Sequence, residues 1–190
     1  MPDDSRSDEH LIALIQEGNV QALEELYDRH RVLAYSLALR VLANPGDAED
    51  VVQEAFVKVW RSAGTYKKDR SGGRSWLLSI VHHGSIDKIR GRQSRIQPVA
   101  LDDSMNIPDS SDVWREVAQR LTGQDVQQAL DQLPAEQRQT IELAYFKGYT
   151  QTQIAGAMKV PLGTVKGRMR IGLFKLKALL ESSHTGMAVE

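Results

Sequence analysis

The stretch GYTQTQIAGAMKVPLGTVKGRMR, Gly148 to Arg170, carries four basic residues and no acid in a chain whose net charge is -1. It reads as two helices around a tight turn: a short one from Thr150 to Met158, a turn over Lys159 to Gly163, and a long helix from Thr164 to Leu180 with Thr164 as its cap. Ile154, Ala155 and Met158 supply the inner face of the first helix. Val165, Met169, Gly172, Leu176 and Leu180 recur at steps of three and four on the second. Lys166, Gly167 and Arg170 then face outward near the start of that helix. This is the pattern of a helix-turn-helix, whose second helix enters the DNA major groove. An Arg or Lys there donates to guanine O6 and N7, and a helix N-terminus suits a phosphate. The same residues also fit an amphipathic hairpin with a basic solvent face.

The charge layout along the rest of the chain bears on that choice. From Arg61 to Arg95 nine bases stand against two acids, and from Tyr149 to Leu180 six bases stand against none. The compensating acids gather in Asp47 to Glu54, in Asp102 to Glu116 and near the N-terminus. Two basic blocks and a separate acidic face suit a protein with two anion-binding surfaces and one basic partner.

Helical periodicity runs through the chain and no strand pattern occurs, so the expected fold class is all-α. Ser7 caps a short helix over Asp8 to Glu17, stopped by Gly18. Asn19 caps the next, whose apolar stripe runs Leu23, Leu26, Tyr27, His30, Leu33, Ala34, Leu37, Val41 until Asn44-Pro45-Gly46. His30, on that stripe, reads as a residue at the edge of the core. Asp47 caps a third helix that buries Ala48, Val52, Ala55, Phe56 and Val59 and turns Asp50, Gln53 and Glu54 to the other side. TYKKDRSGG, Thr65 to Gly73, has turn chemistry and reads as a loop. A fourth helix resumes at Trp76 with Leu77, Ile80, Ile86 and Ile89 as its apolar set. Residues 7–93 thus form one small helical domain, 94–122 a Pro-, Asp- and Ser-rich linker with a short helix at Val113 to Leu121, and 123–182 a second helical domain. In that second domain Val126, Ala129, Leu130 and Leu133 form one helix face, and Pro134 opens the next helix.

The 41% hydrophobic content supports cores without cross-links, and the absence of cysteine excludes disulfides and thiolate metal sites within the chain. The N-terminus is acidic and no apolar run approaches a membrane span of about 18 residues, so a cytoplasmic protein with no membrane insertion is expected. No phosphate-binding Gly-rich loop, nucleophile elbow, zinc-type His spacing or paired carboxylates are present, so neither an enzyme nor a cofactor nor a metal is expected. Adjacent His82 and His83 point about 100 degrees apart on a helix, which argues against a shared metal.

Three blocks in order, DAEDVVQEAFVKVW, WLLSIVHHGSIDKIR and LPAEQRQTIELAYFKGYTQTQIAGAMKVPLGTVKGRMRIGLFKLK, span Asp47 to Lys177. Together they resemble the group IV, extracytoplasmic-function sigma factors of bacterial RNA polymerase, a branch of the sigma-70 family. A conventional helix-turn-helix regulator that does not replace sigma is the rival reading. It has no reason to contain the first two blocks, and it predicts that the chain binds duplex DNA alone as a dimer.

The resemblance implies a region 2 domain and a region 4 domain with divided labour. Asp50, Gln53 and Glu54 take the place of the face that docks on the clamp helices of the largest subunit of core RNA polymerase; the polymerase flap is a second contact. The promoter -10 element, held single-stranded with a base flipped out, maps onto the loop carrying Lys67, Lys68, Arg70 and Arg74 and onto Ser79, His82, His83, Asp87 and Arg90. His82-His83 stands where the family commonly has Arg-Asn. The -35 element maps as duplex DNA onto Thr164, Lys166, Gly167, Arg168 and Arg170, with Gly167 where Ser or Ala is common. A cognate anti-sigma factor that covers the polymerase-binding faces of both domains is the further partner implied.

Overall fold

The computed structural model describes residues 6–69, 71–96 and 123–185, the side chains at 93–96, 123–126 and 181–185 excepted. Arg70 and residues 97–122, which hold most of the expected linker and its short helix, lie outside the described residues. All regular structure among the described residues is helical. The chain divides into two compact units, Met1–Ser85 and Ile86–Glu190.

In the first unit, α1 (Asp8–Gln16) starts on a Ser7 side chain that accepts from the His10 amide, and Gly18 ends the turn after it at φ +83. α2 (Val20–Leu42) is capped by Asn19, which accepts from the Ala22 amide. Its buried stripe is Ala22, Leu26, His30, Ala34, Ala38, Val41 and Leu42. Tyr27, expected in that stripe, is instead exposed at the edge of the α2 surface, its ring edge-on to Phe56 with centroids 4.9 Å apart.

α3 (Pro45–Ser62) begins two residues before the cap expected at Asp47. Asn44 is the cap: its side chain accepts from the Asp47 amide at 3.0 Å. Pro45 sits at the first helical position, where its missing N–H costs nothing. Ala48, Val52, Ala55, Phe56 and Val59 are buried as the periodicity requires, joined by Val51. A 3-10 turn (Ala63–Thr65) follows. α4 (Gly73–Ile96) starts at Gly73, earlier than the resumption of periodicity at Trp76. Leu77, Ile80 and Ile86 are buried, with Leu78, Val81 and four polar residues, Ser75, Ser79, His82 and Ser85. Small and hydroxyl side chains thus let this helix sit deep.

The second unit takes in α4 from Ile86 onward and, after it, four helices: α5 (Gly123–Asp131), α6 (Ala135–Tyr145), α7 (Gln151–Met158) and α8 (Leu162–Thr185). Pro134 precedes α6 as its cap residue. A core of Ala129, Leu130, Leu133, Ile141, Ala144, Ile154, Val165, Met169, Leu173, Leu176 and Leu180 binds the four together. Gly172 sits where α6 and α8 approach: a Cβ there would come 2.9 Å from Ile141 Cδ1 and 3.2 Å from Gln137 Cβ.

Candidate functional site

Asp50, Gln53 and Glu54 are all exposed on α3, opposite its buried stripe. Beside them lies a shallow apolar groove lined by Val20, Leu23, Tyr27, Phe56, Val57 and Trp60, with Gln53 at its edge. Sequence reasoning missed this groove although a signal for it exists. Residues 50, 53, 57 and 60 form a second stripe at helical spacing, flanking the core stripe, and it holds Val57 and Trp60. The surface therefore offers carboxylates and an amide next to exposed aromatic and aliphatic area, the composition of a protein-docking site.

The loop before α4 exposes Lys67 and Lys68. Tyr66 packs its ring 5.3 Å from that of Trp76, and its hydroxyl donates to the Ser71 carbonyl at 2.8 Å. Burial, with the carboxylates of Glu9 and Asp8 nearby, pushes the Tyr66 hydroxyl up to about 12, so it remains a donor. Arg74 is half-buried, and its Nε has no hydrogen-bond partner among the described residues.

Along α4 the expected residues separate by depth. Ser79 is buried and its hydroxyl donates to the Trp76 carbonyl at 2.7 Å, and His82 is buried. His83 and Asp87 are exposed, and Arg90 is half-buried. Burial lowers the Arg90 guanidinium, partly countered by Asp87. The two imidazole rings stand edge to face, 5.9 Å apart, one inside and one outside. Lys67, Lys68, His83 and Asp87 are thus presented to solvent, whereas Ser79 and His82 shape the helix from within.

The helix-turn-helix is α7 and α8. Thr150 and Gln153 form a reciprocal capping box at the start of α7. Lys159 ends α7 in the left-handed conformation at φ 53. Thr164 is not the cap of α8. That helix starts at Leu162, and the Pro161 carbonyl already accepts from the Thr164 and Val165 amides at 2.9 and 3.2 Å. Lys166 and Arg170 are exposed, and nothing lies within 4 Å of a Cβ built on Gly167. Arg168 differs: its Nη2 lies 2.6 Å from Glu136 Oε2 on α6.

No described helix is long and apolar enough to cross a membrane. The chain matches the family models for Sigma-70 region 2 over residues 26–95 and for Sigma-70 region 4 over residues 129–178. It is 33% identical over 179 residues to the ECF RNA polymerase sigma factor SigK of Mycobacterium sp. (strain JLS), covering 91% of this chain and 90% of the relative. The namesake from Mycobacterium tuberculosis (strain ATCC 25177 / H37Ra) is 33% identical over 165 residues, covering 85% of this chain and 87% of the relative. Among solved structures, CnrH in complex with the cytosolic domain of CnrY is similar at a TM-score of 0.42 and 24% identity, covering 93% of this chain and 99% of that one.

Proposed function

The chain belongs to the extracytoplasmic-function sigma factors of the sigma-70 family, transcription initiation factors of bacterial RNA polymerase, and from that premise we propose how its residues divide the work. Residues 7–93 bind core polymerase and the opened -10 element, 94–122 link, and 123–182 read the -35 element. Asp50, Gln53 and Glu54 with the groove at Val57 and Trp60 are the docking surface for the clamp helices of the largest subunit, and the region 4 unit meets the flap. Lys67, Lys68, His83 and Asp87 meet the single-stranded -10 element. Lys166 and Arg170 meet the phosphates and base edges of the -35 duplex, and the Gly167 position lets the duplex approach the helix backbone. The protein acts in the cytoplasm by binding, with no reaction of its own.

The observation that carries the docking assignment is the two-sided build of α3, buried along one stripe while Gln53, Val57 and Trp60 form a second, outward one. Fully desolvated aromatic anchors ringed by polar groups dominate such interfaces. The test is binding of fluorescently labelled chain to core polymerase. A Gln53→Ala/Glu54→Ala variant and a Trp60→Ala variant should each bind at least about tenfold more weakly. Wild-type affinity in both sinks the assignment.

The same exposed apolar surface calls for a cover when the protein is idle, and an anti-sigma factor competing with polymerase for it is part of this reading. A pull-down from the host that recovers polymerase but never a small regulator counts against that partner.

A further inference from the structure

α1 lies outside residues 26–95, the stretch matched by the region 2 family model. Its side chains nevertheless hold both ends of the connection that leads into α4. At its C-terminal end, Gln16 Nε2 donates to the Ala63 carbonyl at 2.7 Å, across 47 residues of sequence. At its N-terminal end, Glu9 Oε1 accepts from the Gly73 amide at 2.7 Å, across 64 residues. Gly73 is the first residue of α4, where backbone amides lack an acceptor within the helix. Glu9 therefore caps α4 from another helix, with its negative charge at the positive end of the helix dipole.

The fit is close. A Cβ on Gly73 would come 2.7 Å from Asp8 Cβ and 3.0 Å from Ile12 Cδ1, so only glycine lets the first turn of α1 lie against the start of α4. That turn is itself fixed: Asp8 Oδ2 accepts from His30 Nε2 at 2.7 Å, and Asp8 Oδ1 accepts from Arg29 Nη1 at 2.9 Å. Between the two anchors sit Tyr66, packed on Trp76, and the exposed Lys67 and Lys68.

We propose that Glu9, assisted by Gln16, is a positioning residue for -10 recognition: α1 braces the connection at both ends and so holds Lys67 and Lys68 in the geometry that receives the melted strand. The proposal rests on the assignment of that loop to the -10 element. Holding a loop in its bound form lowers the ordering cost at binding, so the brace acts on affinity for opened DNA without touching it.

The experiment uses holoenzyme reconstituted from core polymerase and full-length chain, with three readouts: affinity for core polymerase, for a forked template with a single-stranded -10 element, and for a -35 duplex alone. Glu9→Ala should weaken forked-template binding about tenfold, the scale of a lost charge-assisted hydrogen bond, and leave the other two affinities unchanged. Glu9→Gln, which keeps an acceptor for the Gly73 amide, should recover most of the loss. Thermal melting of each variant separates this from unfolding, which would lower all three affinities together. Lys67→Ala/Lys68→Ala serves as the control for the underlying assignment. If that control loses forked-template binding while Glu9→Ala does not, the brace is refuted and the loop assignment stands. If the control binds like wild type, the loop assignment fails and takes the brace with it.

Discussion

Arg168 Nη2 meets Glu136 Oε2 at 2.6 Å, which turns one cation of α8 back toward α6 while Lys166 and Arg170 stay exposed. The Arg168 side chain is 19% exposed and its partner 69% exposed, so the pair itself contributes at most about 1 kcal/mol. Its value is directional. Lys166→Ala and Arg170→Ala should each reduce the salt dependence of -35 duplex binding by about one unit of slope. Arg168→Ala should change that slope by less. A salt titration of holoenzyme on a -35 duplex decides, and an Arg168→Ala slope change equal to the other two contradicts the assignment.

Two glycines on one helix should respond oppositely to alanine. Gly167 faces open space, so Gly167→Ala should stabilise by about 0.5–1 kcal/mol through helix propensity, and any loss of -35 binding then reports close DNA approach. Gly172→Ala meets Ile141 and Gln137, and overpacking of about 1–3 kcal/mol should outweigh that gain. Thermal unfolding of the two variants tests the contrast.

His82 and His83 should separate by function. His82→Ala empties a buried position and should cost about 1–3 kcal/mol of stability. His83→Ala should leave stability within about 0.5 kcal/mol and alter -10 base preference, measured by transcription from a promoter library randomised at the -10 element.

The α1 carboxylates set an acid limit. The Gly73 amide holds the Glu9 carboxyl below its ordinary 4.5. Burial raises the Asp8 carboxyl, but the hydrogen bonds and charges of His30 and Arg29 outweigh it and bring it below its ordinary 3.8. A depressed folded value means stability that is present above the ordinary value and lost as pH falls through the folded one. Asp8→Asn and Glu9→Gln should therefore be less stable than wild type at pH 7, and that difference should shrink at a pH below the ordinary carboxyl values. Denaturant titrations at the two pH values check this, and a constant difference contradicts it.

Local signals carried much of the fold. Ser7, Asn19 and Thr150 cap as their side chains require, and the stripes of α3 and α8 are buried where helical spacing puts them. Two caps shifted for a common reason. Asn44 precedes Pro45 and Pro161 precedes Leu162, and proline at or before a helix start lets the helix begin earlier than Asp47 or Thr164 suggests. The apolar groove was half legible, since Val57 and Trp60 form a stripe but Val20, Leu23 and Tyr27 come from α2. The pairings of Glu9 with Gly73 and of Arg168 with Glu136 depend on which helix ends meet across 64 and 32 residues, and no periodicity encodes that.

The most direct measurement is run-off transcription by core polymerase, with and without the chain, on a library of host genomic fragments. Transcripts that appear only with the chain and share -35 and -10 sequences at fixed spacing, and that vanish with Gln53→Ala/Glu54→Ala, are the predicted result. No chain-dependent transcript, together with duplex DNA bound by the chain alone as a dimer, would contradict the account.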